Sequence, residues 1–156
     1  MPSQPFQHAH LSSAVVYRDA KRMLDWLELA YGFKPVMVIT DADGKLAHSE
    51  MTWGDSRIMI GNEWSGDHSS PLGLGGKNTQ TVHVQMTEDI DAHCERARVA
   101  GAEILQEPSD QFYGDRSYRA RDPEGHIWTF GQTVREVSPE QWDADSGLTT
   151  TFPQDR

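Results

Sequence analysis

The chain has 156 residues, 24 acidic and 14 basic, a formal net charge of -10 and a single cysteine. That length fits one ordinary domain, able to bury roughly 70% of its unfolded surface, so neither a disulfide nor a structural metal is needed for folding. The charge repels phosphate backbones and anionic lipids, which argues against nucleic acid as a partner, and no stretch approaches the roughly 18 apolar residues of a membrane span.

Residues 1–10, MPSQPFQHAH, have no basic segment followed by an apolar run, so no signal peptide is expected. The lone Cys94 can form no internal disulfide and suits a reducing compartment, so a cytoplasmic setting is expected. After this extension the stretch SAVVY alternates as a strand does. Asp19 then stands as a helix N-cap, and Ala20, Met23, Leu24, Leu27 and Tyr31 follow as an apolar stripe at helical spacing. Gly32 supplies the stop. Three strands are predicted next: KPVMVIT, LAHSEMTW and RIMIG, separated by the turns DADGK and GDS.

The segment 62–78 is rich in Gly and Ser and reads as a linker. Beyond it the same order of elements returns. TVHVQM alternates, Asp89 caps a helix striped by Ile90, Cys94, Ala97 and Ala100, and Gly101 ends it. The strands AEILQ, RSYRAR and IWTFGQTV follow, with a loop EPSDQFYGD and a turn DPEGH between them. Asp19 and Gly61 stand as far apart as Asp89 and Gly131, so the chain is read as an internal repeat. The expected organisation is an extension (1–10), one domain (11–134) with modules at about 11–61 and 79–134, and a tail (135–156). In the tail, Ser138 and Pro139 open a short helix.

Four pieces, VVYRDAKRMLDWLELAYGF, HSEMTWGDSRIMI, EDIDAHCERARVAGAEI and YGDRSYRARDPEGHIWTF, resemble the glyoxalase, bleomycin-resistance and extradiol dioxygenase superfamily, the vicinal oxygen chelate proteins. The last is most similar to the PhnB-like branch. The resemblance implies an α+β fold: two βαβββ modules forming an open half-barrel sheet around a cavity, with helices on the outer face. It also implies a homodimer. Catalytic members hold a divalent metal with four His, Glu or Gln ligands on cavity-facing strands. Register from the motifs sets Ser13, Thr81, Thr129 and the neighbourhood of Met59 to Gly61 at those positions. Neutral hydroxyls are poor sole ligands for such a metal, so the expected cofactor set is none, with a divalent metal as the lesser alternative.

The chemistry-bearing candidates lie elsewhere. His48 and Glu50 alternate on one strand and share a face, while His83 and Gln85 share the cavity side of another. Convergence of His48, Glu50 and His83 would suit zinc or iron in a non-family geometry, but polar cavity liners are the preferred reading. Tyr113, Asp115 and Arg116 belong to one loop. Arg116 either pairs with Asp115 to fix that loop or, like Arg119, binds an anionic ligand group bidentately. His126, Asp122 and Pro123 read as turn residues, Trp128 and Phe130 as core, and Cys94 as an inert buried thiol.

The ligand-binding set is therefore His48, Glu50, His83, Gln85, Tyr113, Arg116 and Arg119, with no catalytic assignment. The leading reading is a small-molecule-binding protein without the family metal, holding an aromatic or amphipathic metabolite or drug. The alternative is a lyase-, isomerase- or dioxygenase-type enzyme using a divalent metal or a His/Glu acid–base pair in the same cavity. The third is an interaction module.

Overall fold

The computed structural model describes residues 9–155, so most of the expected N-terminal extension lies outside the described residues. The chain divides into two compact units. One runs to Asn78 and includes Glu124–His126; the other comprises Thr79–Pro123 and Ile127 onward. Among the described residues no helix is long and apolar enough to cross a membrane.

The first unit has the order β1 (Ser13–Tyr17), α1 (Ala20–Tyr31), β2 (Lys34–Thr40), β3 (Leu46–Trp53) and β4 (Ser56–Asn62). Its open four-stranded sheet runs β1-β4-β3-β2, with β1 parallel to β4 and the other pairs antiparallel. Asp19 caps α1 by accepting a hydrogen bond from the Arg22 amide at 3.1 Å. Gly32 closes the helix with φ of 87°, a left-handed geometry that costs glycine little. Ala20, Met23, Leu24, Leu27, Ala30 and Tyr31 are buried along α1, matching the predicted stripe. Pairing sets Val15 beside Ile60, Ser49 beside Ile60 and Met51 beside Ile58, so one face of the sheet carries the buried set. The other face carries Ala14, Val16, His48, Glu50 and Met59.

Glu124 adds an unpredicted feature to this unit. Its carboxylate is buried and accepts from the amides of Arg18 (2.7 Å) and Asp19 (2.9 Å). Two carboxylates, Asp19 and Glu124, thus satisfy amides at the start of α1, where the helix dipole favours negative charge. His126 joins the same unit, with Nε2 donating to the Val16 carbonyl at 2.7 Å and its ring edge-on to Tyr17. The stretch 62–78 is not featureless: it holds a 3-10 turn at Pro71–Leu74, capped by the buried Ser70.

The second unit repeats the pattern: β5 (Val82–Met86), α2 (Ile90–Val99), β6 (Glu103–Asp110), β7 (Asp115–Arg121) and β8 (Ile127–Thr133), followed by α3 (Pro139–Ser146). Its sheet runs β5-β8-β7-β6, with β5 parallel to β8. Asp89 caps α2 through the amides of Asp91 and Ala92. Ala100 is the C-cap and half-buried, not part of the buried stripe, and Gly101 takes the positive φ of 100°. Strand β6 runs on through Pro108 to Asp110 with register shifts, where a loop was expected; an edge strand tolerates a proline because one row of its amides needs no ladder partner. Trp128, Phe130, Tyr118 and Ala120 are fully buried, and the Trp128 indole donates to the buried Asp122 carboxylate at 3.0 Å. The expected tail helix forms, with Ser138 as N-cap.

Candidate functional site

In the second unit the β8 register decides which side chains share the face opposite the buried aromatics. His83 pairs with Thr129, Gln85 with Gly131, Arg119 with Thr129, and Asp115 with Thr133. These six side chains and Gly131 therefore form one surface. Asp115 anchors it. Its carboxylate accepts from the Thr133 hydroxyl at 2.8 Å and from the Gln85 amide nitrogen at 3.2 Å. A carboxylate can only accept, so the Gln85 NH2 must face Asp115. The Gln85 carbonyl oxygen then faces His83 Nε2 at 3.2 Å, and that nitrogen must carry the proton. When neutral, His83 is left with an acceptor lone pair on Nδ1. The chain Asp115–Gln85–His83 thus fixes an amide orientation and a ring tautomer, as second-layer partners do for functional histidines.

Gly131 makes room for this arrangement. A Cβ there would stand 3.2 Å from the Gln85 carbonyl oxygen and 3.3 Å from His83 Nε2, tighter than side chains ordinarily pack. Arg119 lies exposed on the same surface and donates Nε–H to the Thr129 hydroxyl at 3.4 Å. Among the described residues no carboxylate pairs with its guanidinium. The surface therefore offers one acceptor and one fork of donors.

In the first unit, His48 and Glu50 do share a face, with His48 Nε2 3.3 Å from a Glu50 carboxylate oxygen. Glu50 is only 2% exposed, while His48 is half-buried. A buried carboxylate is costly without a partner, and the histidine supplies one. The paired neighbours of Glu50 on adjacent strands are Met37 and Met59.

The remaining candidates fall differently. Arg116 pairs with Gln132, on the face that carries Phe130 and α2, not on the surface of His83. Its guanidinium is held by Asp91 (3.0 Å) and Asp110 (3.1 Å); Asp115, the partner anticipated from sequence, points to the other face. Tyr113 sits at the β6–β7 turn, edge-on to Phe112. It lines an open cleft of about 520 Å³ with Asp115, Thr133, Arg135, Glu136, Val137 and Ser138. Cys94 is buried and its thiol is pushed up to about 11, chiefly by desolvation, which leaves it unreactive near neutrality.

His93 was missed from sequence. It is buried, its Nδ1 lies 2.6 Å from the Tyr118 hydroxyl, and its ring packs 4.6 Å from Phe130. Desolvation raises the Tyr118 phenol well above its usual range. The signal was present, since His93 stands three residues after Ile90 and four before Ala97 on the apolar stripe.

The residues at the family's metal positions do not fit the group. Ser13 pairs with Ile58 and so lies on the buried face with Val15 and Tyr17, a correction of one residue to the register read from sequence. The flanking Ser12 and Ala14 offer only a hydroxyl and a methyl. At β8, the Thr129 hydroxyl already accepts from an arginine, and a fixed cation there opposes a second one. Met59 is a soft thioether, ill suited to hard divalent ions. Among the described residues no group of three His, Cys, Asp or Glu is gathered to hold a metal ion.

Two βαβββ modules, each an open mixed sheet with a helix on one face, define the paired-module class of α+β proteins. The chain belongs to the Glyoxalase/Bleomycin resistance protein/Dioxygenase superfamily, whose family model matches residues 7–130. It is 33% identical over 138 residues to an uncharacterized protein of Mycobacterium bovis, covering 86% of this chain and 90% of the relative. An uncharacterized protein of Mycobacterium tuberculosis matches at the same identity, over 86% of this chain and 80% of the relative. Among solved structures, TioX from Micromonospora sp. ML1 is 31% identical with a TM-score of 0.66, covering 81% of this chain and 100% of TioX. The fosfomycin resistance protein FosX of Mesorhizobium loti shares the fold alone, at 16% identity and a TM-score of 0.56, over 81% of this chain and 93% of FosX.

Proposed function

We propose that the chain is a metal-independent small-molecule-binding protein whose binding surface is the His83 face of the second sheet. What carries this reading is the Asp115–Gln85–His83 chain, which holds one acceptor, His83 Nδ1, in a fixed orientation beside the Arg119 guanidinium, which pairs with no carboxylate among the described residues. Such a pair suits an aromatic or amphipathic molecule with an anionic group for Arg119 and a hydrogen-bond donor for His83. Gly131 keeps the floor of that surface low. Membership of a superfamily that includes bleomycin resistance proteins supports a binding role. In this reading Arg116 serves structure, and a homodimer is part of the proposal. The exposed apolar residues of edge strand β2, Val36, Val38 and Ile39, support an association surface.

The test is ligand affinity by tryptophan fluorescence on chelator-treated protein, with a panel of amphipathic aromatic carboxylates. Binding is expected to survive chelation and to weaken about tenfold or more in Arg119→Gln, since a bidentate charge-assisted contact is lost. His83→Ala should weaken it as well. Binding that disappears on chelation and returns with a divalent metal would overturn the reading.

One observation favours a second reading. The fully buried Glu50 against the half-exposed His48 is the arrangement of an acid–base pair, in which the histidine moves a proton while the carboxylate orients it. Turnover of a bound ligand that is abolished in Glu50→Gln, with binding intact, would make the chain an enzyme of that kind.

A further inference from the structure

The open cleft in the second unit is separate from the surface of His83 but shares a wall with it. Of its lining residues, Asp115 and Thr133 also belong to the His83 network, while Tyr113, Arg135, Glu136, Val137 and Ser138 do not. The cleft is braced by backbone. The Gly114 carbonyl accepts from the amides of Val134 (3.0 Å) and Arg135 (3.2 Å), and the Asp115 carbonyl accepts from the Gln111 amide at 2.7 Å. Gly114 itself has φ of 99°, and a Cβ there would collide with the Arg135 carbonyl oxygen. Backbone hydrogen bonds therefore tie the β6–β7 turn to the segment after β8, and the cleft lies between them.

Its chemistry is one-sided. Two carboxylates, Asp115 and Glu136, and one guanidinium, Arg135, line it, and Arg135 donates to the Gln111 carbonyl at 3.1 Å. Among the described residues no basic group forms an ion pair with either carboxylate. The exposed Tyr113 ring supplies a π face and Val137 an apolar wall. A formal net charge of -10 over the whole chain raises the local concentration of cations further.

We propose that this cleft is a second binding site, for an organic ammonium ion carried on an aromatic or aliphatic body, and that it communicates with His83 through their common Asp115. The ammonium sits between the Asp115 and Glu136 carboxylates and the Tyr113 ring, an ion-pair and cation–π arrangement. The body lies along Val137. An ammonium drawing on the Asp115 carboxylate weakens its hold on the Gln85 NH2, and so loosens the orientation of His83.

The test uses phenethylamine as the probe, with 2-phenylethanol and 3-phenylpropionate as neutral and anionic counterparts, in NMR titrations of the full chain. Phenethylamine is expected to shift the amides of Tyr113, Asp115, Glu136 and Val137, and the ring nitrogens of His83. The alcohol should leave all of them in place, and the carboxylate, a ligand for the His83 surface, should leave Tyr113, Glu136 and Val137 in place. Affinity should fall about threefold to fivefold in Glu136→Gln, as for a partly exposed ion pair. Glu136 is exposed and forms no ion pair among the described residues, so this variant reads the site and not stability. Shifts of Tyr113, Glu136 and Val137 as large with the alcohol, or larger with the carboxylate, or phenethylamine shifts confined to other residues, would overturn the site. Amide shifts in the cleft with no movement at His83 would overturn the shared role of Asp115.

Discussion

The two modules have the same order of elements and the same strand order, yet their faces opposite the helices carry different chemistry. In the first module that face sets a buried Glu50 among Met37 and Met59, with His48 as its partner. In the second, the equivalent face is a polar network from Asp115 through Gln85 to His83, with Arg119 alongside. The helix-bearing faces diverge less, being apolar in both: Val15, Tyr17, Ile58 and Ile60 in one, Val84, Met86, Trp128 and Phe130 in the other. Packing constrains one face of each sheet and leaves the other free for chemistry, so the first is apolar in both modules while the second differs between them.

That contrast should be visible between adjacent residues of β8. Phe130→Ala removes a fully buried ring and should cost about 3–5 kcal/mol, whereas Thr129→Ala, one residue away on the opposite face, should stay within about 0.5 kcal/mol. Chemical denaturation of the two variants measures both. Equal costs would mean that the two faces are not distinct environments.

A smaller effect is expected where a polar residue performs structural work. Glu124→Ala leaves the amides of Arg18 and Asp19 without their carboxylate and should lower stability by about 1–2 kcal/mol, as loss of a helix cap does. Hydrogen exchange should quicken first at the start of α1. Unchanged exchange there would remove Glu124 from the capping of that helix.

The smallest effect lies in the tail. Asp143 accepts from the Thr150 amide (2.9 and 3.0 Å) and hydroxyl (2.7 Å), and the backbone bond is the main cause holding its carboxyl below the usual range. Because the folded carboxyl titrates lower than the unfolded one, this clip stabilises the tail above the ordinary carboxylate range and is lost as pH falls through the folded value. The Thr150 amide signal should report that titration below the usual Asp value of about 3.9. A titration at or above it would show that the clip is not formed in solution.

The fold was legible because its signals are local. Asp19 and Asp89 as caps, Gly32 and Gly101 as stops and the 3-4 stripes mark both helices, and alternation marks the strands. Less was legible at the site. Alternation put His83 with Gln85 and His48 with Glu50, since neighbours two apart on a strand must share a face. The anchors were not visible, because Asp115 reaches Gln85 only through the pairing of β7 with β8, and Glu124 reaches α1 only through tertiary folding. Arg116 was ambiguous for the same reason. Its face depends on a register that the YGDR motif does not state, and the structure turns it to Asp91 and Asp110. Ser13 shows how a single residue of slip reverses an assignment.

The most direct measurement is the nitrogen-15 NMR spectrum of the His83 ring in metal-free protein at neutral pH, recorded alone and with a bound aromatic carboxylate. The expected result is a proton on Nε2 and a bare Nδ1 whose signal moves when the ligand binds, with the tautomer lost in Asp115→Asn. A proton on Nδ1, or a ring indifferent to both the ligand and Asp115, would contradict the role assigned to this surface.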